Sequence, residues 1–294
     1  MRGKANPTVE HELELRLSEV RGLMRNALSK TPLRDLVSEY DGLLGNGKML
    51  RSRLAFRVGP VSDVPLKTLT HAAAAVELIH SASLLHDDVI DGGYLRRGAP
   101  AFWVERGIPG AILLGDLMLF KALSLLTEVG DVRLVPEVVQ LTGEVCEAES
   151  EQELILRGRP SDWDTCVRIA RRKTGALFAF MAFTCGAKDD ALCAALREAG
   201  YAVGTAYQLA DDILDANGDP ESAGKTLGSD EVRNKVSAAR FSGGPVDPIA
   251  FIEELCNTSR DRLAAWPAAQ QAWDDYVNLD MRPALAKNLG LVRT

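Results

Sequence analysis

One acidic pattern occurs twice in this chain of 294 residues, and both copies follow apolar sequence. The first copy is Asp87-Asp88-Val89-Ile90-Asp91, after Leu84-Leu85, and the second is Asp211-Asp212-Ile213-Leu214-Asp215, after Leu209-Ala210. The apolar spacing predicts that each copy lies on a helix. Residues four apart share a helix face, so the first and last aspartates of each copy form a carboxylate pair. The fold must therefore accommodate two inward-facing pairs of like charges.

Carboxylates that face inward need a partner, because like charges four residues apart repel and burial penalises an isolated charge. A single copy is most simply interpreted as a solvated acidic face, but two copies in apolar surroundings favour a divalent cation. Ligands that are all oxygen favour Mg²⁺ or Mn²⁺ over zinc. An EF-hand does not fit, because neither copy has the central Gly and terminal Glu of that loop. The predicted metal ligands are Asp87, Asp88, Asp91, Asp211, Asp212 and Asp215.

Composition is typical of a single globular domain. The chain is 46% hydrophobic with a formal net charge of −7, and no linker, low-complexity tract or composition shift marks a boundary. We therefore expect one domain over residues 1–294. An acidic chain is a poor candidate for binding nucleic acid, so no nucleic-acid partner is expected.

Cysteine usage and the apolar stretches indicate the compartment. The 5 cysteines include no CxxC pair, and most lie in apolar helical sequence, as expected of reduced, buried thiols in a cytoplasmic protein. The N-terminal residues lack the apolar core of a signal peptide. The longest apolar stretch, Ile108 to Leu119, is broken by Pro109 and Asp116 and is too short to span a bilayer. No transmembrane segment is expected.

Helical periodicity extends over most of the chain, whereas the alternation typical of strands is nearly absent. Gly and Pro clusters punctuate the helical segments. These segments are Thr70 to Leu85, Ala111 to Leu126, Val135 to Leu156, Trp163 to Gly186, Ala191 to Asp215 and Ile249 to Ala265. The sequence predicts an all-α fold, a helical bundle around a central cavity, in which facing helices can build a carboxylate metal site.

Basic residues near the acidic copies suit phosphate binding. Mg²⁺ usually completes its coordination with water and substrate phosphate, so two facing copies would hold a diphosphate, which also needs direct cationic contacts. The cations concerned are Lys48, Arg51, Arg96, Arg97, Lys173, Lys225 and Lys235. Taken singly, such residues are also interpretable as ordinary surface charges. Arg168, Arg171 and Arg172 are interpreted as a solvated helix face.

With these residues in place, the chain resembles the trans-isoprenyl diphosphate synthases of the polyprenyl synthetase family over nearly its whole length. The matching segments, in the family's order, are GKMLRSRL, VELIHSASLLHDDVIDGGYLRRGAPAFW, LLGDLML, ARRKTGALFAF, YQLADDILD and GKTLGSD. The resemblance implies the isoprenoid-synthase helical bundle with a central active-site cavity, usually as a homodimer. It also implies a Mg²⁺-dependent condensation of isopentenyl diphosphate with an allylic diphosphate.

The resemblance further implies roles for individual residues. The residues that match contacts to isopentenyl diphosphate are Lys48, Arg51, His80 and Arg97. Those that match contacts to the allylic diphosphate are Arg96, Lys173, Thr174, Gln208, Lys225 and Lys235. Arg96, Lys173 and Lys225 join the aspartates as catalytic residues, because they stabilise charge on the departing diphosphate. Where the family usually has Glu-Gly-Glu-x-x-Gln, residues 147–152 are Glu-Ala-Glu-Ser-Glu-Gln.

Product length depends on the helix that carries the first acidic copy. Ala82 and Ser83 lie about one turn, roughly 6–7 Å, before Asp87 along that helix. In the resembling family, a bulky aromatic residue there stops elongation at farnesyl, so these small residues predict geranylgeranyl or longer. Deeper pocket candidates are Leu78, Ile79 and Phe120. The alternatives are a farnesyl diphosphate synthase, a terpene cyclase or head-to-head condensing enzyme on the same bundle, and a non-catalytic subunit.

Overall fold

Helices dominate the computed structural model, which describes residues 7–39, 44, 47–96, 98–159, 162–217 and 247–290. The α-helices are α1 (Pro7–Ser29), α2 (Arg34–Glu39), α3 (Leu50–Val58), α4 (Leu66–Asp91), α5 (Phe102–Thr127), α6 (Leu134–Glu151), α7 (Trp163–Ala170), α8 (Ala176–Thr184), α9 (Asp190–Asn217), α10 (Pro248–Asp261), α11 (Pro267–Tyr276) and α12 (Arg282–Asn288). A 3₁₀ turn spans Gly59–Ser62, and π-helical turns span Gln152–Leu156, Arg171–Gly175 and Val277–Met281. Two short strands, β1 (Leu95–Arg96) and β2 (Ala99–Pro100), pair antiparallel. The predicted all-α class is confirmed.

Helix α4 packs against α1, α3, α5 and α8, and it ends at the first acidic copy. Its alanine run, residues 72–75, is fully buried. Alanine has the highest helix propensity, and its small side chain lets neighbouring helices approach closely. Gly92 ends the helix in the left-handed conformation (φ 62°), and its N–H bonds back to the carbonyls of Asp88 and Val89. The last turn of α4 therefore fixes where the first copy lies.

Helix α9 carries the second acidic copy and lies very close to the continuous helix made by α7, a π-helical turn and α8. Glycines permit this contact: a Cβ on Gly204 would lie 2.6 Å from Gly175 Cα, and one on Gly200 would lie 2.6 Å from Phe178 O. Helices α10 and α12 also pack against α9. The close approach brings the side chain of Thr174, next to Gly175, within reach of Gln208, one turn beyond Gly204.

The buried apolar side chains form one cluster that extends from Leu13 in α1 to Leu285 in α12. The cysteines are all free thiols; Cys146 is exposed, and the other four are buried. Burial raises the pKa of Cys166 and of Cys256 to about 12. These thiols are therefore unreactive core residues, as their apolar sequence surroundings predicted.

The predicted helices are confirmed in kind, but their ends differ. Helix α4 is six residues longer at its C-terminal end than the predicted Thr70 to Leu85, and it includes the whole first copy. Helix α5 begins at Phe102, before its predicted start at Ala111, with a kink at Gly107 (φ 75°). Pro109 follows that kink in the first turn of the resumed helix, where its missing N–H leaves no bond unmade.

Helix α5 is the one described helix that is long and apolar enough, by length and composition, to cross a membrane. Asp116 lies within the resumed part of α5, and Pro109 lies in its first turn after the Gly107 kink. One face of α5 packs against α4. The other face exposes large apolar side chains, namely Val104, Ile108, Ile112, Leu113 and Phe120. We call these five residues the α5 apolar face.

Candidate active site

The three aspartates of the first acidic copy differ in burial at the end of α4. Asp88 is 6% exposed, whereas Asp87 and Asp91 are half-buried. Asp87 and Asp91 are four residues apart and so share one face of the helix, while Asp88 lies on a different face. Gly93 N–H donates to Asp88 O at 3.0 Å as the chain turns toward the β hairpin.

Asp88 is held by an arginine of that hairpin. Arg96 Nε donates to Asp88 Oδ2 at 2.7 Å, and its NH2 group donates to Oδ1 at 2.6 Å. Two parallel charge-assisted hydrogen bonds make a strong, directional contact. Trp103 Nε1 donates to Gly93 O at 2.8 Å and thereby ties the hairpin to the start of α5. The structure thus places Arg96, a predicted diphosphate contact, directly beside the first copy.

Hydrogen bonds connect the π-helical turn before α8 to the second acidic copy. Thr174 Oγ1 donates to Gln208 Oε1, and Gln208 Nε2 donates to Asp212 Oδ1 at 2.7 Å. Both ends of the amide are therefore engaged, which fixes the orientation of Gln208 and of one Asp212 oxygen. Thr174 is buried, whereas Asp211 and Asp212 are half-buried on α9.

Lys173, in the same π-helical turn, is held by two side chains from α6 and its extension. Its ammonium donates to Gln152 Oε1 at 3.2 Å and forms an ion pair with Glu149. The side chains of Lys173 and Glu149 are 23% and 13% exposed. Gln152 begins a second π-helical turn. Such turns recur at functional sites, and here two of them face each other across one lysine.

The sequence did not indicate that Glu149 and Gln152 contact Lys173, although the Glu-x-x-Gln spacing was visible. The contact depends on how α6 packs against the π-helical turn before α8. The neighbouring arginines 168, 171 and 172 each pair with a glutamate at partly exposed positions. This placement agrees with their interpretation as a solvated helix face.

Arg51, at the start of α3, brings a positive charge into the protein interior. It is 9% exposed, and its guanidinium lies 4.7 Å from the centre of the Phe178 ring. Burial lowers the pKa of Arg51, and the charges of Glu77 and Tyr207 oppose that shift. Within the described structure, Arg51 Nε has no hydrogen-bond partner. The guanidinium of an arginine stays protonated in proteins, so the Nε–H of Arg51 can donate to an acceptor atom of a ligand.

Lys48 lies between the second acidic copy and the C-terminal helix. Its Nζ donates to Ala284 O at 3.5 Å and to Asn288 Oδ1 at 3.4 Å, both on α12. Burial lowers the pKa of Lys48, the charge of Lys287 lowers it further, and the charge of Asp211 opposes both. A partly buried ammonium beside a second ammonium is suited to binding an anion.

His80 is half-buried on α4, about two turns before the first copy. Its carbonyl accepts a hydrogen bond from Ser83 Oγ at 2.9 Å. The remaining predicted contacts fall outside the described residues: Arg97, Lys225 and Lys235, together with the side chain of Asp215.

The carboxylates suit a divalent cation that is completed by substrate. Across the described residues, no three His, Cys, Asp or Glu side chains converge as a metal site. Mg²⁺ does not need such a cluster, because it usually takes one or two carboxylates together with waters and phosphate oxygens. The half-buried pair Asp87 and Asp91, and the second pair of neighbours Asp211 and Asp212, provide that kind of partial ligand set.

The predicted pocket residues differ in exposure: those on α4 are buried or half-buried, whereas the one on α5 is exposed. Ala82, Leu78 and Ile79 are buried on α4, and Ser83 is half-buried. Phe120 is 70% exposed on the α5 apolar face, so it does not close a cavity within one chain.

Sequence comparisons agree with the resemblance. A family model described as Polyprenyl synthetase matches residues 35–243. The geranylgeranyl diphosphate synthase of Mycobacterium tuberculosis is 36% identical over 201 residues, which cover 65% of this chain and 57% of that protein. The farnesyl diphosphate synthase of Escherichia coli is 36% identical over 213 residues, which cover 67% of this chain and 71% of that protein. The matched segment thus spans little more than half of the mycobacterial relative.

A solved structure has the same arrangement of helices. The polyprenyl synthase of Caulobacter crescentus, crystallised with calcium and isoprenyl diphosphate, superposes with a TM-score of 0.80. The match covers 95% of this chain and 96% of that chain at 24% identity. At this identity, the superposition establishes the shared fold.

Proposed function

Because this chain belongs to the polyprenyl synthetase family, we propose that it is a magnesium-dependent prenyltransferase that condenses isopentenyl diphosphate with an allylic diphosphate. The observation that carries the proposal is the placement of four described cations, two of them paired with carboxylates and two beside Tyr207. Arg96 and Lys173 are each oriented by a carboxylate, whereas Lys48 and Arg51 lie beside Tyr207; Arg51 is buried with an unpartnered Nε–H, and the exposed residue Lys48 places its ammonium against α12. A reaction between two diphosphates requires two such groups.

The first group would bind the allylic diphosphate. Arg96 offers the guanidinium N–H donors that do not bond Asp88, and Lys173 offers an ammonium in a mostly buried position. Thr174, the residue after Lys173, bonds Gln208, which in turn holds an oxygen of Asp212 in place. We assign Lys225 and Lys235 to the same diphosphate on the resemblance of their sequence segments.

The second group would bind isopentenyl diphosphate. Arg51 supplies a buried positive charge and Lys48 supplies the ammonium that bonds α12, and His80 and Arg97 are assigned with them on resemblance. A site of this kind would present the isopentenyl double bond toward the allylic carbon while its diphosphate stays fixed.

The aspartates would hold Mg²⁺, with Mn²⁺ as a substitute; the ligands are the six predicted ones, Asp87, Asp88, Asp91, Asp211, Asp212 and Asp215. When bound, the metal supplies positive charge beside the diphosphate that leaves. Asp88 shares its oxygens with Arg96, so it also orients a cation of the protein.

In the condensation, the allylic C–O bond breaks and its electron pair leaves with the diphosphate. The protein stabilises that growing charge through Arg96 and Lys173. The isopentenyl double bond then forms the new C–C bond, and the resulting cation loses a proton to the released diphosphate. No side chain acts as a nucleophile. The apolar walls from α4 and α8 exclude water, which would otherwise trap the allylic cation.

We propose a product of geranylgeranyl length or longer. The α4 residues one turn before Asp87 are small, and Ala82 is fully buried. A growing chain that follows α4 would meet no aromatic side chain of α4 at that level, and Leu78 and Ile79 lie further along the helix. Farnesyl is the alternative product, since the relatives at similar identity include both a geranylgeranyl and a farnesyl diphosphate synthase.

We also propose a cytoplasmic homodimer whose protomers are single domains over residues 1–294. The α5 apolar face is uncovered in one chain, with Leu113 66% and Phe120 70% exposed. A second copy of the chain would cover it, and Phe120 would then reach a pocket only across that interface. The single hydrophobic cluster and the free cysteines support the one-domain, reducing-compartment part of the proposal.

The test is incubation of the purified chain with Mg²⁺, isopentenyl diphosphate and each allylic diphosphate in turn, with products sized by chromatography. A ladder that ends at geranylgeranyl or beyond is the expected result. A stop at farnesyl would keep the reaction class and refute the open pocket. No consumption of isopentenyl diphosphate with any primer would refute the synthase and favour a cyclase or a non-catalytic subunit. Asp87→Ala, which should be folded and inactive, is the negative control.

A further inference from the structure

The C-terminal helix contributes a buried amide to the surroundings of Lys48. Asn288, the last residue of α12, is 5% exposed. Its Oδ1 accepts a hydrogen bond from Lys48 Nζ at 3.4 Å, over a separation of 240 residues in sequence. Within the described residues, its Nδ2 has no hydrogen-bond partner.

The orientation of this amide follows from its neighbour. A lysine ammonium can only donate, so the oxygen of the amide must face it, and the NH₂ group is left as a donor. A buried donor without an acceptor is destabilising, and native proteins leave few of them. An acceptor atom of a ligand would therefore complete the hydrogen bonding of Asn288 Nδ2.

The same surroundings contain further positive charge. Tyr207 lies beside both cations of the second group: Lys48 Nζ is 5.6 Å from the centre of its ring, and its phenol acts on the charge of Arg51. Arg51 Nε is the other described donor here without a partner. Lys287, the residue before Asn288, adds a second ammonium. The two unpartnered donors and the neighbouring positive charges together favour binding of an anion with several acceptor oxygens.

We propose that Asn288 binds the diphosphate of the isopentenyl substrate through Nδ2 and positions Lys48 through Oδ1. This inference rests on the proposed function, which assigns Lys48 and Arg51 to that substrate. The C-terminal helix thereby forms one wall of the isopentenyl diphosphate site, and it gains a hydrogen bond when that site fills.

The test compares Asn288→Asp with the wild-type chain. Aspartate has the same shape and keeps an oxygen for Lys48, but it replaces the free NH₂ donor with an acidic oxygen that repels the diphosphate. Binding of isopentenyl diphosphate is measured by calorimetry without an allylic substrate, and the KM values of both substrates and kcat are measured by product formation. Asn257→Asp is the matched control, because Asn257 accepts from Arg282 NH2 at 3.0 Å at an exposed position on α10.

The expected result is a loss of isopentenyl diphosphate affinity of about 10-fold or more in Asn288→Asp, since a hydrogen bond to a charged group is removed. The KM of that substrate rises in parallel, while kcat and the allylic KM change less than about two-fold. Asn257→Asp behaves as the wild type. If Asn288→Asp does not fold, the smaller neutral variant Asn288→Ser is measured in the same way, with the same expected selectivity.

Unchanged affinity for isopentenyl diphosphate in a folded variant overturns the assignment of Asn288, and so does an equal loss for both substrates, which would indicate a purely structural role. A wild-type chain that binds isopentenyl diphosphate but forms no product refutes the proposed function, while the calorimetric comparison still decides the role of Asn288. A wild-type chain that does not bind it refutes both.

Discussion

Asp88 and Arg96 form a two-armed ion pair, with Nε to Oδ2 at 2.7 Å and NH2 to Oδ1 at 2.6 Å. The carboxylate belongs to the last turn of α4, and the arginine belongs to the hairpin that follows the Gly92 turn. Asp87 and Asp91 share a different helix face. One acidic motif thus combines a carboxylate pair suited to a cation with a third carboxylate that orients an arginine.

Replacing Arg96 by lysine should lower kcat by about 100-fold. Lysine keeps the charge but cannot make two parallel hydrogen bonds to Asp88, so the cation would no longer be held where the diphosphate leaves; loss of one such charge-stabilising donor is worth roughly 3 kcal/mol. Steady-state kinetics with both substrates measure the effect. Arg168→Lys is the control, since Arg168 makes a comparable pair with Glu151 at 2.7 Å on the surface and should change kcat little. Equal effects of the two substitutions would contradict the role of Arg96.

Replacing Glu149 by glutamine should lower kcat by about 10-fold, or ~1.4 kcal/mol, without changing the KM for isopentenyl diphosphate. Glu149 and Gln152 hold Lys173, and the pair is mostly buried, so its loss is poorly compensated by solvent. Glu153→Gln removes the neighbouring pair with Arg157, whose side chain is 47% exposed, and should stay within about two-fold of wild type. A KM effect confined to isopentenyl diphosphate would show that Lys173 has been assigned to the wrong substrate.

Ala82→Phe should shorten the product to farnesyl or geranyl. Ala82 lies on α4 about one turn before Asp87, where an added phenyl ring would extend toward the proposed path of the growing chain. Product chromatography measures the change, and thermal unfolding checks that the larger side chain is tolerated. Ala27→Phe, at a partly buried position on α1, serves as the control for added bulk. An unchanged product profile in a folded Ala82→Phe variant would remove the pocket from this region.

Binding of isopentenyl diphosphate should weaken as the pH rises through an alkaline interval. That interval lies below 10.5, the ordinary pKa of lysine. Desolvation lowers the pKa of Lys48, followed by the charge of Lys287, so the free site loses its proton at a lower pH than an ordinary lysine does. A bound diphosphate favours the protonated form and raises that pKa, so binding takes up a proton in this interval. Affinity measured against pH should show the decline, and Lys48→Arg should move it to higher pH because arginine does not titrate there. A decline at the same pH in Lys48→Arg would assign it to another group.

The helices that carry the aspartates were predictable because apolar residues at helical spacing lead directly into both motifs. The pairing of Asp88 with Arg96 was not, since it depends on the chain reversal at Gly92 and on the hairpin that follows. The start of α5 was missed for a related reason: the left-handed Gly107 separates its first turn from the rest. Local backbone conformation at glycine decided both.

Contacts over long sequence distances were also beyond the sequence pattern. The two π-helical turns that bring Gln152 to Lys173 each shift the helical register by one residue, which periodicity does not reveal. Lys48 and Asn288 meet only because α12 packs against α9 near the start of α3. Neither contact leaves a signal within a short window of residues.

In the proposed reaction, two groups of cations bind two different diphosphates. The decisive measurement is the KM for each substrate in Lys48→Ala and in Lys173→Ala. Lys48→Ala should raise the KM for isopentenyl diphosphate by about 10-fold or more and leave the allylic KM nearly unchanged, and Lys173→Ala should do the reverse. If each substitution raises both KM values equally, the two groups serve one shared site and the claim is wrong.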